Sequence, residues 1–516
     1  MDKEVIDWKT YRRIYPQGSQ PGKIYGMAKH HKDGCPMRPV LSAIGTPEYD
    51  LAKWLETQLK PLLYDKYSVA SSSEFVNELS LLKPGPTDVC VSFDIRSLYT
   101  NVPLKEVIED IIKVVYSTST SSGNIFKHQD CKITKTVLRN MLILCSQSIF
   151  LYNKNVYKQC DGVAMGSPLA PLLANWFVCR TEDNILNNKQ HHSYKPVIYK
   201  RYVDDIFAVF GSPEERDTFF NILNSAHPNL QFTMETANPN LPFLDVCITI
   251  DDGAYNTQVY RKPTNTGVLM NYECMAPTKW KKALIKCLLN RAYRVSSSFE
   301  YFSAEMVKIR NSLQRNGYPS TYINRIFHEF VESKNINVHN FRHRDGGEDQ
   351  REERSMTSYL TIPYVGRPSI QLQHHIRKEM EKQEIVISAS YSTTKVGSYF
   401  GLKPKCPILF KANVVYKFTC LRDEGTTYIG ETCRQLFRRV NDHMGKDQNS
   451  AIYDHLYQCL ECQSSKNISG QFEVLRSCDK SNILSFESLL ISKYRPTLNT
   501  QLGPGNGAMV SLALYN

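Results

Sequence analysis

The stretch VIYKRYVDDIFAVF, residues 197–210, sets two apolar runs, Val197 to Tyr199 and Ile206 to Phe210, on either side of Tyr202-Val203-Asp204-Asp205. Short β-branched and aromatic runs broken by a polar pair read as two strands meeting at a tight tip. That reading puts two carboxylates at the tip. Upstream, VCVSFDI at 89–95 is a further apolar strand and carries Asp94, while FLDVCITI at 243–250 follows as another. Helical stretches such as PLKEVIEDIIKVVY, at 103–116, lie between them, so residues 1 to about 260 form an α+β pattern.

From 270 to 335 strand signals vanish and the chain reads helical. One stretch there, TKWKKALIKCLLNRAYR at 278–294, places Trp280, Leu284, Leu288 and Ala292 about a turn apart. It also carries Lys279, Lys281, Lys282, Lys286, Arg291 and Arg294 without an acidic residue. Such charge suits either a solvated helix face or a phosphate-binding one. The run FRHRDGGEDQREERS, 341–355, has no apolar period and reads as an exposed linker. Beyond it come TIPYVG at 361–366, a helix at 369–382 and a strand at 384–390, then a last unit from about 404. The expected domains are therefore 1–265, 266–335, 336–403 and 404–516.

Composition bounds the class. With 516 residues, 41% of them hydrophobic and 63 Lys plus Arg against 51 Asp plus Glu, the chain is a multidomain globular protein of net charge +12. That balance permits a polyanionic partner. The odd count of 15 cysteines and a start without an apolar signal region argue against a secreted disulfide scaffold. No run approaches the ~18 apolar residues of a membrane span. A soluble intracellular protein is expected.

Nucleotidyl transfer uses two divalent cations about 4 Å apart, so it needs carboxylates that converge from separate strands. Asp94 and the Asp204-Asp205 pair meet that need. A polar hairpin turn is the plainer alternative, but it requires nothing elsewhere. The catalytic reading requires an upstream carboxylate and a glycine-bearing loop between, and the loop is Gly162-Val163-Ala164-Met165-Gly166-Ser167-Pro168.

In this order the motifs resemble a reverse transcriptase. SFDIRSLYTNVP is similar to motif A, DGVAMGSPLAPLLAN to motif B, RYVDDIFAVF to motif C, and YGMAKHHKDGCPMRPVLS to the fingers motif. SLYTNVP, MGSPLAPLLAN and LPFLDVCI with VYRKPT narrow the resemblance to Penelope-like retroelements, over about residues 22–265. The resemblance implies a right-hand fingers and palm with Asp94, Asp204 and Asp205 holding two Mg²⁺. It makes Tyr99 a steric gate against ribonucleotides, with Arg38 and Lys29 or Lys32 on the triphosphate, and Gly166 and Ser167 beside the nucleotide. The basic helix becomes a thumb-like clamp contacting nucleic acid through Lys279, Lys282, Lys286, Arg291 and Arg294. The chain departs from many reverse transcriptases at Gly162, where they carry Gln.

The last unit contains VVYKFTCLRDEGTTYIGETCRQLFRRVNDH, 414–443, a hairpin joined by Asp-Glu-Gly and followed by a helix. Phosphodiester hydrolysis needs a base, a cation over the developing charge and a metal ligand. Tyr416, Tyr428, Arg439, His443 and Glu487 supply those types. The pattern resembles the GIY-YIG endonucleases, with Val414 where the motif has Gly. By that resemblance the tyrosines activate water, Arg439 or its neighbour Arg438 stabilises the phosphate, and His443 moves a proton. Glu487 holds one Mg²⁺ and Asn499 orients the site. Related nucleases carry a Cys/His zinc site near the hairpin. Cys406, Cys420, His455, Cys459 and Cys462 leave that open beside buried free thiols, because four ligands cannot be assembled from spacing alone.

The expected fold is thus a multidomain α+β chain: right-hand polymerase fingers and palm, a helical thumb-like and connector region, and a small α+β GIY-YIG nuclease domain. The expected partners are an RNA template, a DNA target that also serves as primer, and dNTPs, in the nucleus and without a membrane. Because the chain begins almost at the fingers motif, a decayed or domesticated copy that binds nucleic acid without catalysis is the alternative.

Overall fold

In the computed structural model the described residues are 6–499, except 17–18, 29–33, 118–132, 154, 238, 337–340, 342–357, 383–386, 396–398, 400–406, 448, 466–467 and 479–481. Four antiparallel strands form the central sheet, in the order Ile198–Tyr202, Asp205–Phe210, Val89–Ile95, Phe232–Thr236. The run Ile206 to Phe210 is apolar at every position, and a strand so written must be covered on both faces. It is. Ile206, Ala208 and Phe210 join one core with Val91, Phe93 and Ile95, and with residues from the helices Leu104–Val115, Ala170–Leu186 and Pro213–Ser225. Phe207 and Val209 face the other side, packing with Phe75, Leu241, Phe243 and Val246.

A second sheet, ordered Met37–Ser42, Gly22–Ala28, Ile149–Tyr152, Asn155–Lys158, lies in the region expected to be the fingers. A three-stranded sheet, Ala254–Val259, Val246–Asp251 and Leu241–Phe243, leads out of the palm into the helices.

The helices Thr278–Val295, Phe299–Arg315 and Ser320–Ser333 enclose their own core of Ile285, Leu289, Phe302, Ile309, Leu313, Ile323 and Phe327. The buried stripe of the first helix corrects the expected one. Ile285, Leu289, Ala292 and Val295 are buried, whereas Leu284 and Leu288 lie half-buried at its edge. Adjacent leucines and isoleucines at 284–285 and 288–289 leave the face ambiguous by about 100° until the partner helices choose.

The connector is a βαβ unit: Ser358–Pro363 and Ile387–Ser392 pair in parallel, with the helix Arg367–Glu381 between them. The expected charged linker lies outside the described residues apart from Phe341, which is buried in the three-helix core. In the last unit the sheet runs Thr427–Thr432, Val414–Thr419, Phe472–Ser477, all antiparallel. Val414, Tyr416 and Phe418 pack toward the segment 436–462, and Val415 and Ile429 toward Ile483 of the helix Ile483–Tyr494. Among the described residues, no helix is long and apolar enough to cross a membrane.

Candidate functional site

Antiparallel register sets the first site. Asp94 and Asp205 are directly paired across adjacent strands, and Asp204 is held above them by the Ile95 amide donating to its carbonyl at 3.0 Å. Burial, and then the charges of Asp204 and Asp94, push the Asp205 carboxyl up to about 6. Three carboxylates that crowd one another in this way form a donor set that fits divalent cations.

Tyr99 is half-buried, and its hydroxyl is pushed up by burial and by Asp204 while Arg38 opposes the shift, so the ring lies within the fields of both. Its carbonyl accepts from the Val163 amide at 2.7 Å, and the Leu41 amide donates to the Met165 carbonyl at 2.8 Å. These two bonds pin the glycine loop between palm and fingers. Gly162 and Gly166 have φ of +67° and +116°, and a Cβ on Gly166 would stand 2.0 Å from the Leu41 carbonyl oxygen. Only glycine allows this approach.

One expectation changes here. Ser167 is buried beneath the loop and its amide donates to Ala164, so it supports the loop from inside. Lys29 and Lys32 lie outside the described residues. One cation that sequence reading left without a role is Lys262, in the quoted VYRKPT, which opposes the upward shift of Asp205.

Two cations of the basic helix are paired within the protein. Arg291 pairs with Asp245 at 2.6 Å and donates to the Tyr260 carbonyl, and Lys282 pairs with Glu329 at 2.7 Å. Both therefore fasten the helix to its neighbours. Lys279 lies 5.0 Å from the centre of the Tyr391 ring, Lys286 is half-buried and Arg294 is exposed.

In the last unit, the Tyr416 hydroxyl meets His443 Nε2 at 2.6 Å, and Arg439 Nε donates to the same hydroxyl at 3.3 Å. His443 is fully buried and its pKa falls to about 4, because burial and then Arg439 disfavour a second positive charge. A neutral ring that accepts at Nε2 carries its hydrogen on Nδ1, which donates to Ser450 Oγ. Burial pushes Tyr416 upward, so it is a phenol donating to His443.

Arg439 also pairs with Asp447 at 3.1 Å, whereas Arg438 is exposed; geometry selects Arg439. The carboxyl of Glu487 is pushed up to about 7 by burial and then by Glu431, a second carboxylate that sequence reading missed. The Tyr428 hydroxyl is raised by burial, with Arg439 and Glu487 acting on it in opposite senses. Asn499 accepts from the Ile429 amide at 2.9 Å and donates to its carbonyl at 2.8 Å, clamping the strand that carries Tyr428. Gly430 is required as well, since a Cβ there would meet the Tyr416 hydroxyl at 2.8 Å.

Beside this site Cys420, His455, Cys459 and Cys462 converge, their donor atoms all within 4.8 Å of one another. Cys420 Sγ lies 3.9 Å from Cys459 Sγ and 3.6 Å from Cys462 Sγ, and Cys462 Sγ lies 3.8 Å from His455 Nε2. Tetrahedral zinc with bonds of about 2.3 Å to sulfur sets its ligands about 3.8 Å apart, so this set fits zinc. Four ligands assemble where spacing alone could not choose them. Cys406 lies outside the described residues.

Residues 37–237 match the family model described as reverse transcriptase (RNA-dependent DNA polymerase), and residues 268–328 match the animal helix-turn-helix domain. The chain therefore carries both domains. No curated protein matches. Solved structures similar to it include telomerase from Candida albicans in complex with a TWJ fragment of telomeric RNA, at 12% identity and TM-score 0.42, covering 64% of this chain and 63% of that one. Apo telomerase from Candida tropicalis matches at 13% identity and TM-score 0.36, with 64% and 59% covered. The Sicinivirus 3Dpol RNA-dependent RNA polymerase matches at 10% identity and TM-score 0.39, with 64% and 71% covered. The chain spans less than two thirds of the length of these telomerase chains.

Two outcomes follow from this geometry. Gly166→Ala drives a methyl into the Leu41 carbonyl and destabilises the protein by about 1–3 kcal/mol, read as a lowered melting temperature. The folded-state pKa of His443 lies below that of the unfolded ring, so its contribution to stability is complete above about pH 6.5 and is lost as pH falls towards 4. That loss is on the order of 3 kcal/mol. Melting curves between pH 7.5 and 4.5 show a smaller acid shift in His443→Gln than in the parent.

Proposed function

We propose that this protein is a Penelope-like retroelement enzyme that couples RNA-directed DNA polymerisation to a GIY-YIG endonuclease. The observation that carries the reading is two separate convergent sites in one chain: Asp94 in register with Asp205, and Tyr416 bonded to both His443 and Arg439. The nuclease nicks DNA and leaves a 3′-hydroxyl, from which the polymerase copies RNA. Chromosomal DNA as the target implies work in the nucleus.

In the polymerase, Asp94, Asp204 and Asp205 would hold two Mg²⁺, which supply Lewis acidity for the primer hydroxyl and charge neutralisation for the triphosphate. Arg38 contributes a planar donor fork for phosphate oxygens. Tyr99, tied through its carbonyl to the glycine loop, walls the sugar side of the nucleotide. The primer 3′-hydroxyl gives its proton to solvent, and its oxygen forms the new bond to the α-phosphorus as the bond to pyrophosphate breaks.

In the nuclease, Glu487 would hold one Mg²⁺, which supplies Lewis acidity at the scissile phosphate. Water gives its proton to the Tyr416 oxygen while the Tyr416 proton passes to neutral His443 Nε2. The hydroxide forms its bond to phosphorus as the bond to the 3′-oxygen breaks, and that oxygen takes up a proton from solvent while His443 gives its proton back through Tyr416. Arg439, half-buried beside the tyrosines, opposes the charge that builds on the phosphate. Cys420, His455, Cys459 and Cys462 would hold zinc as a knot tying the strand end at Cys420 to the helices Ala451–Gln458 and Leu460–Ser464.

Exposed Lys279 and Arg294 and half-buried Lys286 are the helix cations assigned to phosphates of the bound duplex.

Asp204→Asn abolishes primer extension on an RNA template and keeps nicking of supercoiled plasmid, while Glu487→Ala does the reverse. If each variant kept the activity assigned to its site, the reading fails; parent protein that binds nucleic acid but does neither supports a non-catalytic copy instead. Zinc is expected at about one per chain by elemental analysis. Cys462→Ser lowers that content and melts the nuclease unit earlier, with primer extension retained.

A further inference from the structure

The largest buried charge in the palm is not one of the carboxylates. Arg201 immediately precedes the catalytic turn, and its side chain is 0% exposed. Burying an unpaired guanidinium is prohibitive, so its donors must be met inside. Nε donates to Glu182 Oε1 at 2.7 Å, Nη1 to Asn175 Oδ1 at 2.7 Å, and Nη2 to Asp65 Oδ1 at 3.2 Å and Cys179 Sγ at 3.1 Å. Asn175, Cys179 and Glu182 lie on one face of Ala170–Leu186, the helix that the glycine loop opens into. Tyr199 and Asn175 brace the acids in turn, through Glu182 Oε1 and Asp65 Oδ2.

Nη1 also reaches the Val203 carbonyl, at 3.4 Å. Val203 sits at φ +58°, a region that a β-branched residue enters only at a cost of about 1–3 kcal/mol. The turn presenting Asp204 and Asp205 is therefore strained, and something must hold it. The backbone of Arg201 is fixed on both sides, its amide donating to the Tyr67 carbonyl and its carbonyl accepting from the Val69 amide, each at 2.9 Å.

We propose that Arg201 is a positioning residue for polymerisation: from beneath, it latches the strained Val203 turn to the helix behind the glycine loop, so that the carboxylates and the nucleotide-side loop keep one relative placement. This rests on the polymerase reading above. Arginine is required over lysine because a single ammonium cannot meet Glu182, Asn175, Asp65 and Val203 together.

The test uses the full chain and compares the parent, Arg201→Lys, Val203→Gly, the double variant and Asp65→Asn. Measured are single-turnover primer extension, its Mg²⁺ dependence, primer–template affinity, and Mn²⁺ binding by calorimetry without nucleic acid. Arg201→Lys is expected to lower extension about 10- to 100-fold and to raise the metal requirement, with primer–template affinity kept. Glycine takes positive φ freely, so Val203→Gly restores a large part of the extension lost in Arg201→Lys. A metal requirement equal to the parent's, or Val203→Gly effects identical in both backgrounds, overturns the latch. Should Arg201→Lys not fold, Asp65→Asn decides: it removes one acceptor from the edge of the network, and an unshifted metal requirement overturns the proposal. Parent protein that extends nothing defeats the polymerase reading; the latch is then judged by Mn²⁺ binding, weaker in Arg201→Lys if it stands and equal if it falls.

Discussion

Mutual repulsion among Asp94, Asp204 and Asp205 is the constraint to which the polymerase half is built. Left alone, three half-buried carboxylates separate or take up a proton: burial first, and then the charges of Asp204 and Asp94, push Asp205 up to about 6. The chain opposes it with rigidity. The strand bearing Asp205 is packed from both faces by apolar residues at every position from Ile206 to Phe210, and the Asp94 strand beside it contributes Val91, Phe93 and Ile95 to one of the same cores. A sheet sandwiched in this way has no soft direction in which the acids can move apart.

Much of this was legible because it follows from period and polarity. An unbroken apolar strand that carries an acid near its end, next to a second of the same kind, leaves little choice of register. The glycine loop was legible for the same reason, since glycines between two acidic strands announce a close backbone approach. Arg201 was not. Between Lys200 and Tyr202 it reads as one more polar strand residue, and its acceptors at Asp65 and Glu182 lie 136 and 19 positions away. Only the assembled fold brings them together.

The four-ligand cluster was hidden by a different cause. His455, Cys459 and Cys462 follow helical spacing and look like one helix face. The helix stops, however, at Cys459, which takes φ −100° and ψ 103° before a new one begins at Leu460. That break turns Cys462 back toward Cys420 at the end of the central strand. Local spacing does not encode such a break, because Gln458-Cys459-Leu460 contains neither glycine nor proline.

The basic helix shows how charge misleads when its partners are distant. All six cations between Lys279 and Arg294 are equivalent on a helical wheel until the neighbours are known. Asp245, at the tight turn between two palm strands, takes Arg291, and Glu329 takes Lys282. Arg261, one residue from Lys262, pairs in the same way with Glu305 on the second helix, which is nearly buried. Ion pairs with a shielded partner hold geometry better than exposed ones, since solvent and salt screen them less. The helical unit is fixed at Asp245, in the turn before the strand Val246–Asp251, and at Arg261, just after the strand Ala254–Val259, and of these two pairs the one at Arg261 has the shielded partner. The position of the helical unit is thus set by the same framework that places the acids.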